Sequence, residues 1–170
     1  MAEGEFHPVA KLSELKRAGR KRISLNDRII ALFYVGGSVY AMDHFCYHNG
    51  GPLALGDIED SHGRMCVICP WHKHAITLDT GESLYTAIDP ANPRVKVHNC
   101  SKGVKQRTHA VRVDVEQDCV YVRFSDLSKP TDSDRYFTEE YRVFMENALH
   151  EPTPEQLGAV KVPIHSSRLK

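Results

Sequence analysis

The sequence predicts an all-β domain, and three features of the chain lead to this prediction. From Phe6 to about Phe124, apolar residues occur in short runs, several of which alternate with polar residues as the strands of a half-buried sheet do. Turn-forming residues separate these runs, and no long stretch has the spacing of an amphipathic helix. A chain of 170 residues has room for one domain and an appendage. We therefore expect a main domain over residues 6–125 and a C-terminal extension over residues 126–170.

The predicted strands combine β-branched or aromatic residues with flanking turn residues. They cover residues 22–25, 28–35, 39–42, 64–68, 75–78, 108–115 and 120–124. Asn26-Asp27 and Gly36-Gly37 each join two strands over two residues, which is typical of a tight hairpin. Asp79-Thr80-Gly81 forms a turn after the strand at 75–78. The last two segments alternate apolar and polar residues, and we expect them to close the domain as a hairpin.

Residues 89–107 do not follow this strand pattern. Pro90, Pro93 and Gly103 interrupt the segment, which also carries five basic side chains. We predict a long loop or an insertion between strands. Two interpretations of this segment stay open, namely an ordinary solvated loop and a docking surface for an acidic redox partner.

A short helix is predicted in the C-terminal extension. Thr138 can cap its N-terminus, and Glu139 and Glu140 suit the positive end of a helix. Apolar residues then recur at helical spacing, and they are Tyr141, Phe144, Met145, Ala148 and Leu149. Pro152 and Pro154 are expected to end the helix.

The composition argues against several functional classes. Twenty-two basic residues balance twenty-two acidic ones, so no net charge favours nucleic acid or an anionic membrane as a partner. No apolar run is long enough to cross a bilayer, and the N-terminal residues lack the order of a secretory signal. We expect a soluble, cytoplasmic protein. Early basic residues leave a mitochondrial presequence as the alternative, although three glutamates among them argue against it.

Two short segments carry the predicted chemistry. Each pairs one thiol with one imidazole, and together they supply Cys46, His48, Cys69 and His72. Five cysteines are an odd number for a disulfide framework, so closely spaced Cys and His are interpreted first as metal ligands. Both segments follow predicted strands, which places them at hairpin tips that a β scaffold can bring face to face. We predict one [2Fe-2S] cluster with two thiolates on one iron and two imidazoles on the other.

A zinc site is the competing interpretation, because zinc accepts the same ligand types. Structural zinc sites usually pair cysteines with cysteines, with two or more residues between the members of a pair. Here one residue separates Cys46 from His48, and both segments are mixed. The split ligand set of the iron cluster therefore fits better. Gly50 and Gly51 also suit a loop whose backbone must approach the sulfurs and direct N–H groups at them.

With these motifs, the chain resembles the Rieske-type [2Fe-2S] ferredoxins over roughly residues 6–124. The Cys-x-His and Cys-x-x-His boxes match that family directly, and Asp79, Gly81 and Glu82 match the turn that usually follows the second box. The resemblance implies a β-sandwich with a smaller cluster-binding subdomain inserted into it, here at about residues 44–82. It also implies an electron carrier, an oxidoreductase component with no catalytic site of its own, that works between a flavoprotein reductase and an oxygenase or another oxidase.

Several residues depart from the family pattern. The segment between the boxes is a few residues longer than usual, and we place the excess in a hairpin around residues 61–64. Respiratory members carry a disulfide between the two loops, where this chain has Gly51 and Trp71. Those members also donate hydroxyl hydrogen bonds to the cluster from positions that are His74 and Ile76 here. The resemblance therefore implies a reduction potential at the low end of a range of roughly −150 to +300 mV. Lys73 replaces a customary glycine.

Two other functions are alternatives to that of an electron carrier. A Rieske oxygenase would need a separate non-haem iron domain, and the 46 residues after Phe124 are too few for one. A regulatory or redox-sensing subunit that holds the cluster without carrying electrons is the alternative that stays open.

Overall fold

The computed structural model describes residues 4–141 and residue 143, and strands predominate among them. The strands are β1 His7–Lys11, β2 Arg20–Leu25, β3 Arg28–Val35, β4 Ser38–Asp43, β5 Asp57–Ser61, β6 Arg64–Ile68, β7 Ala75–Thr77, β8 Glu82–Asp89, β9 Asn92–Val104, β10 Thr108–Asp114 and β11 Cys119–Arg123. Helix α1 spans Leu12–Ala18, and 3-10 helices span Leu53–Leu55 and Asp132–Phe137. The predicted all-β class is confirmed.

The strands form two sheets, one inserted into the other. The first sheet has the order β1-β11-β10-β4-β3-β2, and the second has the order β5-β6-β7-β8-β9. Thr108 in β10 pairs directly with Met42 in β4, although the whole second sheet lies between these strands in the sequence. This arrangement confirms the expected inserted subdomain. Its limits at residues 44 and 82 stay a prediction, and the second sheet itself runs from Asp57 to Val104.

Tight turns form where turn residues predicted them. Asn26 and Asp27 adopt positive φ angles of 47° and 62° between β2 and β3, as a hairpin with right-handed twist requires. Gly36 and Gly37 do the same between β3 and β4. The longer hairpin expected around residues 61–64 is also present, with Ser61 paired to Arg64 across its turn.

Strand β3 separates two hydrophobic cores. Ile30 and Leu32 on one face are fully buried against a cluster that includes Leu15 of α1 and Val122 of β11. Ala31 and Phe33 on the other face belong to a second cluster that contains Cys46, Tyr47 and Cys69. Apolar residues therefore run without alternation through the middle of this strand, as in strands covered on both faces. The second cluster is the support on which both predicted ligand segments rest.

The prediction of a loop over residues 89–107 is wrong. Most of this segment is β9, a 13-residue edge strand that pairs with β8 in an antiparallel hairpin. Most of its side chains are exposed, so the sequence shows no alternation of buried and exposed positions. Register shifts interrupt the pairing at several points, and Asn99 has a positive φ angle of 56°. Irregular pairing of this kind is typical of edge strands.

Helix α1 was not predicted, because distant residues stabilise it. Leu12 and Leu15, one turn apart, are buried in the first core. Asp118, in the turn between β10 and β11, accepts hydrogen bonds at the start of the helix from the backbone N–H (2.7 Å) and the hydroxyl (2.6 Å) of Ser13. Gly19 ends the helix with φ 75°. No helix among the residues that the structure describes has the length and apolarity that a bilayer crossing requires.

The C-terminal extension divides at Phe137. The first compact unit of the chain continues through the 3-10 helix to Phe137, and a second unit begins at Thr138. Within the second unit, the Thr138 hydroxyl accepts the Tyr141 N–H at 3.4 Å, as expected of the predicted cap, and helix begins at residue 139. The other predicted helix positions, from Phe144 to Leu149, lie outside the described residues. The predicted domain boundary at residue 125 stays a prediction.

Replacing Gly81 by alanine should destabilise the fold strongly. Gly81 has φ 75°, and a Cβ atom there would lie 1.9 Å from the backbone oxygen of Gln106. Strain and overlap together should lower the free energy of unfolding by about 3 kcal/mol. Gly103→Ala is the matched control, since Gly103 has φ 86° with open space around it. Chemical denaturation measures both, and equal losses for the two variants would contradict the packing role of Gly81.

Candidate metal centre

The two predicted ligand segments form loops at the ends of strands. The first loop, residues 44–52, leaves β4, and the second loop, residues 69–74, joins β6 to β7. The first loop is closed at its base by a bridge between Phe45 and Pro52 and by the Leu53 N–H, which donates to the His44 oxygen at 2.9 Å. The second loop is therefore a hairpin tip, as expected from the sequence, whereas the first loop is not, because it leads from β4 into the 3-10 helix at Leu53–Leu55 and the next strand, β5, belongs to the other sheet.

The same backbone hydrogen bonds close both loops around their cysteines. Each cysteine N–H donates to the carbonyl five residues later, and each cysteine carbonyl accepts from the N–H four residues later. The bonds are Cys46 N–H to Gly51 O (2.8 Å), Gly50 N–H to Cys46 O (2.8 Å), Cys69 N–H to His74 O (2.9 Å) and Lys73 N–H to Cys69 O (2.9 Å). Two loops of unrelated sequence thus present their cysteines on matching backbones.

The fourth residue after each cysteine has a left-handed conformation. In the first loop this residue is Gly50, with φ 77°, and in the second loop it is Lys73, with φ 59°. A glycine adopts this conformation without penalty, whereas a residue with a Cβ atom is strained by it. Lys73 therefore keeps the backbone shape that the customary glycine would allow, at some cost in stability.

The two cysteine thiols are buried beside each other. Cys46 is fully buried and Cys69 is 2% exposed. A hydrogen bond from Cys46, assisted by the backbone N–H groups of Trp71 and His72, lowers the pKa of Cys69 to about 6. The same thiol contact, together with burial, raises the pKa of Cys46, although the N–H groups of His48 and Asn49 act in the opposite direction. Each sulfur thus has backbone donors of its own loop directed at it.

The two imidazoles lie farther out than the thiols. His48 is half-buried and His72 is exposed, and their ring centroids are 4.9 Å apart with the planes nearly perpendicular. Within residues 4–141, Nδ1 of His48 is buried and has no hydrogen-bond partner. A buried polar atom of this kind calls for an explanation, and its lone pair is free to bind a metal. The structure therefore brings all four predicted residues to two facing loops.

Gly51 and Trp71, which occupy the positions where the resemblance implies a disulfide in respiratory members, are packed together. A Cβ atom on Gly51 would lie 2.6 Å from the sulfur of Cys69 and 3.2 Å from Cγ of Trp71. Only glycine fits at this position, because the second loop comes so close to the first. All five cysteines are free thiols. Packing of an indole on a bare backbone thus takes the place of a covalent link between the loops.

The donor arrangement suits two metal atoms better than one. A zinc ion needs four donors around one point. A [2Fe-2S] cluster with mixed ligands needs one pair of thiolates and one pair of imidazoles, each on its own iron. The buried thiol pair and the outer imidazole pair fit this second requirement.

Gln106 supports the first loop and was missed by the sequence analysis. Its side chain is fully buried. The amide oxygen accepts the Tyr47 N–H at 2.8 Å, and the amide nitrogen donates to the carbonyls of Asp43 and Phe45, each at 2.9 Å. Its backbone N–H also donates to Gly81, in the turn that follows the second loop. Gln106 therefore ties the first loop to the turn between β7 and β8, and nothing in the local sequence marks it.

A buried carboxylate lies at the base of the first loop. Asp43 accepts two hydrogen bonds from Arg28 (2.7 and 2.6 Å) and one from Ser133 (2.6 Å), and Nε2 of His109 lies 3.0 Å away. Burial opposes its ionisation, but the hydrogen bonds from His109 and Arg28 outweigh burial and hold the pKa of Asp43 below its ordinary value. The carboxylate stays charged and joins three distant parts of the chain.

Comparisons with known proteins agree with this site. Residues 8–127 match the family model of the soluble Rieske-type ferredoxins. The Rieske domain-containing protein of Homo sapiens is 47% identical over 135 residues, which are 79% of this chain and 85% of that protein. The anthranilate 1,2-dioxygenase ferredoxin subunit of Burkholderia cepacia is 31% identical over 77 residues, which are 45% of this chain and 68% of that subunit.

A solved structure supports the fold. NdmB of Pseudomonas putida CBB5 superimposes with a TM-score of 0.55 at 24% identity, over 74% of this chain. The chain spans 36% of the length of NdmB, about a third, so the likeness concerns the fold of one part of that larger protein.

Replacing Lys73 by glycine should stabilise the protein. The substitution relieves the strain of the left-handed conformation, but it also gives the unfolded chain more conformational freedom. The net effect should be a rise of about 0.5–1 kcal/mol in the free energy of unfolding. Lys96→Gly, in the exposed strand β9, removes the same side chain and should instead lower stability by about 0.5–1 kcal/mol. Urea denaturation measures both changes. A loss of stability in the Lys73 variant would mean that the left-handed conformation carries no strain.

Gln106→Met should destabilise the protein by about 3 kcal/mol, because it removes three buried hydrogen bonds, to the Tyr47 N–H and to the carbonyls of Asp43 and Phe45. Gln117→Met is the control, since Gln117 is exposed in the turn after β10 and should change stability by less than about 0.5 kcal/mol. Thermal and denaturant unfolding give the comparison. Equal stability of the two variants would refute the supporting role of Gln106.

Proposed function

The chain belongs to the soluble Rieske-type ferredoxins, and we propose that it is an electron carrier that binds one [2Fe-2S] cluster through Cys46, His48, Cys69 and His72. It receives one electron from a flavoprotein reductase and passes it to an oxygenase or another oxidase. The observation that carries this proposal is the meeting of two buried thiols and two outer imidazoles on loops with matching backbones.

The protein holds the cluster and sets its electronic surroundings. When bound, the cluster supplies a one-electron couple. Cys46 and Cys69 supply the negative charges from the buried side, and the backbone N–H groups around each sulfur offset part of those charges. His48 and His72 bind as neutral imidazoles, which add no negative charge and so ease acceptance of an electron. Because His74 and Ile76 stand where hydroxyl donors occur in respiratory members, the potential should lie low in the Rieske range.

Electron exchange takes place on the imidazole side. His72 is exposed at the tip of the second loop, whereas both thiols are shielded from solvent. The neighbouring Trp71 is 53% exposed and offers an apolar surface beside this imidazole. A partner protein that covers the tip of the second loop would contact His72 directly, and the sulfurs of Cys46 and Cys69 would stay shielded from solvent.

Membership in this family supports the proposal that the chain carries electrons and does not itself catalyse a reaction. The relative from Burkholderia cepacia is the ferredoxin subunit of a dioxygenase. In our proposal this chain likewise has no catalytic domain of its own, and a separate oxygenase or oxidase performs the chemistry. Affinity capture with the folded, iron-loaded protein, followed by identification of the bound proteins, would identify the reductase and the acceptor.

Electron paramagnetic resonance of the dithionite-reduced protein tests the ligand set. We expect a [2Fe-2S] signal with an average g value below that of all-cysteine clusters, because two imidazoles bind one iron. His48→Ala and His72→Ala should each lose this signal and the visible colour, whereas the control His62→Ala, in the hairpin turn between β5 and β6, should keep both. Unchanged spectra in either ligand variant would refute the proposed ligands.

Voltammetry separates a carrier from a redox sensor. A carrier should give a reversible one-electron couple with fast exchange, since backbone hydrogen bonds hold the ligand loops in place. Loss of the cluster on reduction would instead indicate a sensing or regulatory role.

A further inference from the structure

The 3-10 helix at Asp132–Phe137 lies directly against the first loop. The guanidinium of Arg135 donates hydrogen bonds to the carbonyl of Tyr47 and, at 2.8 Å, to the carbonyl of His48. The hydroxyl of Tyr136 also donates to the His48 carbonyl, at 2.7 Å. Residues that follow the last strand thus bind the backbone on either side of a predicted metal ligand.

These two carbonyls belong to the same peptide groups as the N–H groups of His48 and Asn49, which act on the Cys46 sulfur. A trans peptide group directs its C=O and its N–H to opposite sides, and the described chain has no cis peptide bond. The Tyr47 carbonyl shares its peptide group with the His48 N–H, and the His48 carbonyl shares its group with the Asn49 N–H. Both N–H groups act to lower the pKa of the Cys46 thiol, against the larger opposing effects of burial and of Cys69, as donors directed at its sulfur do. Arg135 and Tyr136 therefore bind the carbonyl oxygens of two peptide groups whose N–H groups face the Cys46 sulfur.

The 3-10 helix is itself firmly anchored. The Ser133 hydroxyl donates to the buried Asp43 and accepts the Arg107 N–H at 3.0 Å. Asp134 is paired with Arg28 (2.5 Å) and Arg107 (2.6 Å). Although partial burial opposes its ionisation, hydrogen bonds from Arg107, the Thr131 N–H and Arg28 lower the pKa of Asp134 to about 2. The segment is consequently a fixed support and not a loosely attached tail.

We propose that Arg135 and Tyr136 are positioning residues that orient and polarise the two N–H donors to the Cys46 sulfur, and that the charge of Arg135 favours the reduced cluster. This inference rests on the proposed function. Hydrogen bonds to a carbonyl strengthen the N–H of the same peptide group as a donor, and donors to the sulfur stabilise added negative charge. The family match ends at residue 127, so these two residues lie beyond the part of the chain that matches the family model.

The test uses the full, iron-loaded chain and matched variants. Arg135→Gln removes the positive charge, and Arg135→Lys keeps the charge but lacks the planar guanidinium that binds two carbonyls. Tyr136→Phe removes the hydroxyl that donates to the His48 carbonyl. Arg94→Gln and Tyr85→Phe are the controls, since Arg94 is exposed in β9 and Tyr85 is 45% exposed in β8. Voltammetry measures the reduction equilibrium, and hydrogen exchange of peptides that cover residues 44–52 measures how firmly the two N–H groups are held.

Arg135→Gln should lower the equilibrium constant for reduction about fivefold, which is about 40 mV for a one-electron couple. Tyr136→Phe should lower it about twofold, and Arg135→Lys should recover most of the loss. Exchange in the first loop should accelerate at least tenfold in Arg135→Gln and remain unchanged in the controls. Potentials and exchange rates that match those of the controls would overturn the proposal.

The outcomes also separate this inference from the proposed function. If the unaltered protein shows no reversible couple, the carrier function fails, while the exchange measurement still tests whether Arg135 and Tyr136 hold the loop. If Arg135→Gln takes up no iron, the Tyr136→Phe variant becomes the deciding test, since it changes no charge and keeps the Arg135 side chain that binds the carbonyls of Tyr47 and His48. A reversible couple with Tyr136→Phe at the unaltered potential and exchange rate would overturn the inference alone.

Discussion

The buried carboxylate of Asp43 is the interaction on which the rest of the structure depends. A charged group without exposure is tolerated only when it is fully paired, and here Arg28, His109 and Ser133 provide the pairing. These partners come from β3, from β10 and from the segment after β11, so satisfying one charge joins three regions. Asp43 is also the last residue of β4. The first ligand loop therefore starts from a point that cannot shift without exposing a buried charge.

The two ligand loops combine matching backbone hydrogen bonds with different side chains. Matching hydrogen bonds place the cysteines at equivalent positions, which leaves the sulfurs side by side in the core. The histidines follow at different offsets, two and three residues after the cysteines, and lie toward the surface. This separation of donors by depth suits the cluster that we propose, because it shields the thiolates and leaves an imidazole accessible from outside. Close packing of Gly51 against the second loop keeps the two halves together without a disulfide.

Local signals allowed much of this protein to be predicted. The hairpins at Asn26-Asp27 and Gly36-Gly37 were correct because a two-residue turn depends on the conformations of its own residues. The two Cys-His boxes were recognisable because ligand spacing is a property of a few consecutive residues. Strand β9 was wrongly predicted as a loop, since a strand with both faces largely exposed has no alternation to detect. Helix α1 escaped prediction because its cap, Asp118, lies 105 residues from Ser13.

The sequence by itself determined the all-β class, the positions of seven strands, the family and the four candidate ligands. Only the tertiary structure decided what surrounds those ligands. Gln106 binds the first loop from 59 residues away, and Arg135 and Tyr136 bind it from nearly 90. Hydrogen bonds between such distant residues arise from the way the sheets bring chain segments together, and they leave no periodicity, spacing or turn signal behind. Patterns along the chain predict the donors, whereas contacts across the fold decide how those donors are held.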